Sequence, residues 1–283
     1  RAELTGQCGA ALAALHSIDP DHLAGLEGLH ELDQVGQFRD LVDTLGEPHP
    51  AFELGFRWLE DHRPPPSGRA VVHGDFRNGN LIVGPDGLRA VLDWELAHLG
   101  DPLEDLGWLC TRAWRFGGPG PVGGFGERED LYAAYEAAGG RPVDPEVARW
   151  WEVLGSLKWG VMCIIQAATH LTGQSRSMEL AAIGRRVCEN EYDLLLLIDP
   201  DGEVPEPTQG GSAEPPALHD VPSAGQLLEA VREWVESDVR DGTEGRLQFH
   251  TRVAANVLST VATKRWITCS GLSNAARPAA PPT

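Results

Sequence analysis

The chain has 283 residues, a net charge of -19 and a hydrophobic fraction of 42%, a composition typical of a globular protein with one large or two unequal domains. The excess of Asp and Glu repels nucleic-acid phosphates and anionic membranes, and no Lys/Arg-rich run offsets it, which argues against either partner. The five cysteines form no C-x-x-C pair, which argues against a disulfide framework and a zinc knuckle and predicts a cytoplasmic location.

The first part of the chain predicts three amphipathic helices. Apolar residues recur at helical spacing from Leu4 to Leu15, and the pattern ends at Asp19-Pro20 because Pro disfavours helix in the residue before it. A second helix is predicted over 35–45. A third is predicted over 52–59, before a run of three prolines.

Short apolar runs then predict strands over 70–72, 81–83 and 88–92. The sequence Gly84-Pro85-Asp86-Gly87 supplies turn residues between the second and third runs. We therefore expect a small β-hairpin beside a loop.

Helices are predicted again after Asp101-Pro102. One runs over 103–110, and another over 131–138 ends at two glycines. A long helix begins with Asp144 as N-cap and Pro145 at the first helical position. A last helix is predicted over 178–198.

The C-terminal part predicts a linker and a small helical domain. Residues 199–222 contain many prolines with two adjacent glycines, a composition that predicts a linker. Ser223 and Gln226 form a capping-box pattern at the start of a helical domain over 223–264. The tail over 265–283 loses its apolar period and is predicted to be disordered.

One stretch combines the residues that phosphoryl transfer requires. The sequence His73-Gly74-Asp75 follows the first predicted strand, Asn80 follows five residues after the Asp, and the hairpin returns Asp93 toward the same place. Phosphoryl transfer needs a carboxylate that orients and deprotonates the attacking hydroxyl, and oxygen ligands that hold magnesium on the phosphates. Asp75, Asn80 and Asp93 can meet both needs.

The order strand, Asp, four residues, Asn, hairpin, Asp is that of the protein-kinase catalytic loop and metal-binding Asp. Gly74 stands where protein kinases have Arg, and Leu92-Asp93-Trp94-Glu95 stands where they have Asp-Phe-Gly. Together with Leu-Ala-Ala-Leu-His-Ser-Ile-Asp-Pro over 12–20 and Ala-His-Leu-Gly-Asp-Pro-Leu-Glu-Asp-Leu over 97–106, this combination resembles the aminoglycoside phosphotransferase and choline-kinase-like family.

The resemblance implies an α+β, mainly helical fold, the C-terminal lobe of a protein-kinase-like protein with a small β-hairpin at the catalytic loop. It implies that Asp75 is the catalytic base and that His73 braces the loop. Asn80 and Asp93 are implied to bind Mg²⁺ and, through it, ATP. Asp105 resembles the family's buried helix Asp, whose role is structural support of the loop backbone.

The residues before the loop do not resemble a nucleotide-binding lobe. The 72 residues before His73 predict helices rather than a sheet, and the first Lys of the chain is Lys158. We therefore expect residues 1–198 to form the catalytic lobe without an N-terminal nucleotide lobe. We also expect this chain to be an inactive fragment when it stands alone.

The predicted function is an enzyme that transfers the γ-phosphoryl group of ATP to a hydroxyl of a small molecule. The residues around Asp93 and the trailing helices resemble those of bacterial kinases related to the kinases fused to acyl-CoA dehydrogenases. This resemblance implies a hydroxy-acyl acceptor. The alternative is a non-catalytic kinase-like binding or scaffold protein. Arg77 either touches phosphate or forms an ordinary ion pair. Glu95 either lies near a second metal ion or is a solvated charge.

Overall fold

The structure, a computed structural model, describes residues 2–23, 29–202 and 221–271. The chain divides into two compact units. Unit 1 contains residues 1–162 and 188–213, and unit 2 contains residues 163–187 and 214–283.

Helices predominate in the described part of the chain, as the sequence predicted. They are α1 (Ala2–His16), α2 (Gln34–Leu45), α3 (Pro50–Asp61), α4 (Leu103–Cys110), α5 (Arg128–Ala137), α6 (Pro145–Leu171), α7 (Met178–Gly184), α8 (Val187–Ile198), α9 (Ala224–Trp234) and α10 (Gly245–Gly271). The strands are β1 (Ala70–Val72), β2 (Leu81–Gly84), β3 (Gly87–Val91) and β4 (His98–Gly100). No helix among the described residues is both long enough and apolar enough to cross a bilayer.

The core of unit 1 lies where α1, α4 and α5 meet. Helix α1 packs closely on α5: a Cβ added at Gly9 would lie 2.8 Å from the Leu131 carbonyl oxygen, so this crossing requires a residue without a side chain. The cluster includes Leu12 from α1, Leu106 from α4 and Phe76 from the loop after β1, all buried. The core therefore anchors the loop that carries the candidate site.

Two small antiparallel pairs flank this loop. Strands β2 and β3 form the predicted hairpin, with Leu81 opposite Val91 and an irregular register between Ile82 and Val83. Strand β1 pairs with β4, so that Val72 lies opposite His98. Strand β4 was not predicted, because a three-residue strand shows too little alternation to be distinguished from a loop.

The prediction of one helix over 178–198 is wrong, since α7 ends at Gly184 and α8 begins at Val187. The backbone N–H groups of Arg185 and Arg186 bond to the carbonyls three residues earlier, at 3.2 Å and 2.9 Å. These tighter bonds follow Gly184, whose low helix propensity favours a break.

Unit 2 contains the C-terminal helices. The Ser223 side chain accepts from the Gln226 N–H and the Gln226 side chain accepts from the Ser223 N–H, which confirms the capping box. Helix α9 contacts α7 and α10. Helix α10 continues to Gly271, beyond the predicted end of the helical domain at 264. The disorder of the tail over 265–283 stays a prediction. Most of the predicted linker (203–220) and the rest of the tail (272–283) lie outside the described residues.

Candidate active site

The loop after β1 makes a sharp turn at Gly74. This residue has a φ of +76°, a left-handed conformation that favours glycine. A Cβ added there would lie 2.4 Å from the Leu96 carbonyl oxygen. Phe76, two residues after Gly74, is 1% exposed. The close approach and the buried ring together fix the backbone on both sides of Asp75.

The Asp105 carboxylate of α4 binds the backbone of this loop. It accepts from the backbone N–H of His73 at 2.8 Å and of Gly74 at 2.9 Å. His16 Nε2 donates to the same carboxylate at 3.1 Å. Burial raises the pKa of Asp105, but the His16 hydrogen bond and charge and the His73 N–H outweigh it, so the pKa lies below its usual value. These contacts join α4 to the loop backbone, and the structural role that the resemblance implies for Asp105 stays a prediction.

The orientation of His16 is fixed in turn by Tyr135. Its Nδ1 atom lies 3.0 Å from the Tyr135 hydroxyl. Burial raises the pKa of Tyr135 to about 12, so the phenol stays protonated beside Nδ1. Helices α1, α4 and α5 therefore hold the loop through one chain of polar contacts.

The Asp75 carboxylate accepts hydrogen bonds on both oxygens. Trp108 Nε1 donates to Oδ1 at 2.9 Å, and Asn80 Nδ2 donates to Oδ2 at 2.6 Å. Arg77 Nε lies 3.0 Å from Oδ1 and 3.2 Å from Oδ2. Arg77 therefore forms an ion pair with Asp75, and its guanidinium carbon lies 4.6 Å from the Trp114 ring centroid.

The contacts of His73 fix its tautomer. The Asp75 backbone N–H donates to Nδ1 at 3.1 Å, so Nε2 carries the proton and donates to the Leu92 carbonyl at 3.0 Å. The imidazole thus links the loop after β1 to the residue that precedes Asp93. Because both ring nitrogens are engaged within the protein, the geometry suits a brace better than a proton carrier.

The side-chain oxygens of Asn80 and Asp93 are suitable ligands for a magnesium ion. Asn80 uses Nδ2 for the Asp75 side chain and carbonyl, and no described residue donates to its Oδ1. Asp93 is exposed, has a φ of +66°, and its carboxylate forms no hydrogen bond with the described residues. Carbonyl and carboxylate oxygens are the ligands that Mg²⁺ prefers, usually with substrate phosphates completing the set.

Three residues that contact the loop or its support Asp105 were not identified as site residues from the sequence: His16, Trp108 and Lys158. Trp108 follows Asp105 by three positions, so both lie on one face of α4, which is the signal that could have found it. Lys158 donates to the Gly74 carbonyl at 3.0 Å although 84 positions separate them. Its signal was a lone Lys between Leu157 and Trp159 in an apolar helix, since a buried charge requires a partner.

The comparison with family models gives one match for this region. The model of the phosphotransferase enzyme family matches residues 1–151. Among curated proteins, acyl-CoA dehydrogenase family member 10 of Mus musculus is 48% identical over 63 residues, which are 22% of this chain and 6% of that protein. Acyl-CoA dehydrogenase family member 11 of Gallus gallus is 39% identical over 106 residues, 34% of this chain and 14% of that protein. The chain thus spans a small part of these relatives.

Solved structures share the fold. A protein assigned as an aminoglycoside phosphotransferase from Ralstonia eutropha has a TM-score of 0.60 and 22% identity, covering 72% of this chain and 67% of that one. A choline/ethanolamine kinase family protein from Mesorhizobium loti has a TM-score of 0.51 and 18% identity, covering 69% of this chain and 61% of that one. At these identities the likeness concerns the fold alone.

Proposed function

This chain belongs to the phosphotransferase enzyme family, and we propose that it carries the catalytic centre of an ATP-dependent enzyme that phosphorylates a hydroxyl of a small molecule. The observation that supports this most is the contact between Asp75 and Asn80. One carboxamide donates to the proposed base through Nδ2 and keeps Oδ1 available for a metal ion. The base and the metal ligand are thereby held together.

In the proposed reaction Asp75 accepts the proton of the acceptor hydroxyl while the hydroxyl oxygen attacks the γ-phosphorus of ATP. The bond from that phosphorus to the β,γ-bridging oxygen breaks, and ADP leaves. Trp108 and Asn80 orient the Asp75 carboxylate through Oδ1 and Oδ2. Arg77 lies over Asp75 with a quarter of its side chain exposed, so it can exchange this carboxylate for a phosphate oxygen. His73 takes no proton in this scheme and holds the loop against the hairpin.

We propose that Asn80 and Asp93 hold Mg²⁺ with the ATP phosphates. When bound, the ion neutralises charge on the phosphates during transfer. The exposure of Asp93 suits this role, because its carboxylate can reach a ligand without first breaking an internal bond.

A cavity of about 370 Å³ beside the loop is our candidate for the acceptor site. It meets the loop at Leu96, whose carbonyl faces Gly74, and at Lys158, which donates to the Gly74 carbonyl. Its lining is largely apolar, with Phe38 and Met162 among the residues, and adds amides such as that of Gln37. Ligand sites commonly combine such a lining with a few polar groups.

The chemistry of this lining favours a hydroxy-acyl acceptor over an aminoglycoside. Among the described residues that line the cavity, Glu95 is the only carboxylate, which leaves a polycation largely uncompensated. An acyl chain would contact the apolar wall, and its polar end would reach the amides. The similarity to acyl-CoA dehydrogenase family members 10 and 11 also supports this choice.

The test is a transfer assay on the full-length protein that contains this chain. ATP labelled at the γ-phosphate is offered with and without Mg²⁺, together with hydroxy-acyl thioesters, aminoglycosides, choline or homoserine. We expect magnesium-dependent labelling of a hydroxy-acyl compound. Asp75→Asn should slow transfer about 10²- to 10⁴-fold with little change in ATP affinity, because Asp75 acts on the acceptor hydroxyl.

Two Asp→Asn substitutions in or just after the hairpin serve as a test variant and its control. Asp93→Asn should abolish transfer, whereas Asp86→Asn should leave it unchanged, since Asp86 is exposed and, among the described residues, its carboxylate pairs only with Arg89. Acceptor binding that is independent of magnesium, without any transfer, would favour the scaffold alternative instead.

A further inference from the structure

Trp108 reaches Asp75 from the buried side of the loop. Its indole Nε1 donates to Asp75 Oδ1 at 2.9 Å, and the residue is 2% exposed. It lies on α4, one turn after Asp105, whose carboxylate accepts from the two backbone N–H groups that precede Asp75. The donor to the carboxylate and the support of the backbone therefore come from one short helix.

Lys158 of α6 contacts the same loop at the residue before Asp75. Its Nζ atom donates to the Gly74 carbonyl at 3.0 Å and lies 4.6 Å from the centroid of the Trp108 ring. Glu104 Oε1 compensates the buried charge at 3.5 Å. One ammonium group thus contacts the backbone just before Asp75 and the face of the ring whose N–H binds the Asp75 carboxylate, an arrangement that combines a hydrogen bond with a cation–π contact.

We infer that Trp108 and Lys158 are positioning residues that fix the Asp75 carboxylate where it can accept the proton of the acceptor hydroxyl, an inference that rests on the proposed function. A neutral indole N–H orients a carboxylate without placing a full positive charge on it. Arg77 does place such a charge, but its side chain is about a quarter exposed, where water weakens an ion pair. The buried indole on Oδ1, like the Asn80 amide on Oδ2, is therefore a contact that can persist when Arg77 turns to a phosphate.

The first test compares two Trp→Phe substitutions in the full-length protein. Trp108→Phe removes the N–H and keeps an aromatic ring beneath Lys158. Trp159→Phe removes an indole N–H that has no hydrogen-bond partner in the described residues, from a site that is also buried, at 8% exposure. We expect kcat to fall about 10- to 100-fold for Trp108→Phe with an unchanged KM for ATP, because a misplaced catalytic group slows the chemical step. Trp159→Phe should retain both constants.

Lys158 is tested by Lys158→Met and Lys158→Arg. The Met variant keeps the apolar stem and loses the charge, so kcat should fall with an unchanged KM for ATP. The Arg variant retains a cation and donors and should recover part of kcat. Thermal melting identifies any variant that fails to fold. If a Lys158 variant does not fold, the comparison of kcat between Trp108→Phe and Trp159→Phe tests the inference. Equal kcat values for Trp108→Phe and Trp159→Phe, in an active parent, would overturn the inference.

A second measurement does not require activity. In ¹⁵N-labelled protein the Trp108 indole N–H resonance is assigned by its absence in Trp108→Phe. It should move upfield in Asp75→Asn, because a neutral amide accepts a weaker hydrogen bond than a carboxylate does. It should stay in place in Asp86→Asn. A parent protein without magnesium-dependent transfer would overturn the proposed function. A Trp108 indole resonance that does not move in Asp75→Asn would overturn the contact between Trp108 and Asp75, and with it the inference.

Discussion

Asp105 has no exposed surface, and its carboxylate binds three donors from two parts of the chain that lie far apart in sequence. A buried donor left without an acceptor costs about 1–3 kcal/mol, which is more than a typical hydrogen bond contributes when it forms. The pKa of Asp105 lies below its usual value because the His16 and backbone contacts outweigh burial. The resulting stability is present above the unfolded-state pKa and is lost as the pH falls through the folded-state pKa.

Asp105→Ala should therefore lower the free energy of unfolding by about 1–3 kcal/mol for each donor left unpaired, and should weaken the acid sensitivity of stability. Urea unfolding at neutral and acidic pH measures both effects. Asp43→Ala is the control, because Asp43 is exposed on α2 and such substitutions usually change stability by less than about 0.5 kcal/mol. An inactive Asp105→Ala protein with normal stability would place Asp105 in the chemistry and contradict its structural role.

At the scale of elements, β4, α4 and α2 meet in a buried polar cluster behind the catalytic loop. Both His98 ring nitrogens face acceptors: Nε2 lies 3.0 Å from Glu104 Oε2 and Nδ1 lies 2.9 Å from the Leu96 carbonyl. Gln34 Nε2 donates to the same Glu104 oxygen at 2.5 Å. Burial lowers the pKa of His98, but the hydrogen bond and charge of Glu104 outweigh burial and Lys158, so the pKa is raised.

A raised histidine pKa means that its contribution to stability is complete below the unfolded-state value of about 6.5 and disappears as the pH rises through the folded-state value. We expect the free energy of unfolding to fall over that window. Glu104→Gln should lower the His98 pKa and flatten this dependence. Glu129→Gln, at an exposed position of α5, should change neither. An NMR titration of the His98 ring, assigned by its absence in His98→Asn, gives the pKa directly; an unchanged value in Glu104→Gln would contradict the argument.

The elements also show which features the sequence could predict. The starts of α9, after its N-cap Ser223, and of α6, at Pro145, could be predicted because helix capping depends on a few neighbouring residues. Asp75 and Asn80 could be proposed as site residues from the sequence because their spacing follows from one strand and one turn, and their roles stay predictions. Strand β4 and the Lys158 contact were not predicted, because they depend on pairing between segments far apart in the chain, which no local pattern encodes.

At the scale of the whole molecule, the two units do not divide the chain where the composition suggested. The division falls inside α6, and residues 163–187 belong to unit 2 with α9 and α10. Within unit 2, a Cβ added at Gly184 would lie 2.6 Å from the Ala167 side chain and 2.7 Å from Pro222. Ala181 of α7 is fully buried. The catalytic lobe of 1–198 remains a prediction, and the packing of α7 offers a way to test it.

A chain that ends at residue 202 removes α9, α10 and Pro222 but keeps α7 and α8. Because α7 packs on α9 and Pro222, its backbone amides should exchange with deuterium faster in the shortened chain. Helix α8 provides the internal control, since from Cys188 onward it belongs to unit 1 and its amides should keep their protection. Hydrogen exchange read by mass spectrometry on peptides from 178–184 and 188–198 separates the two helices within one sample. Equal protection of α7 in both chains would show that residues 1–198 hold together without the C-terminal helices, as the sequence predicted.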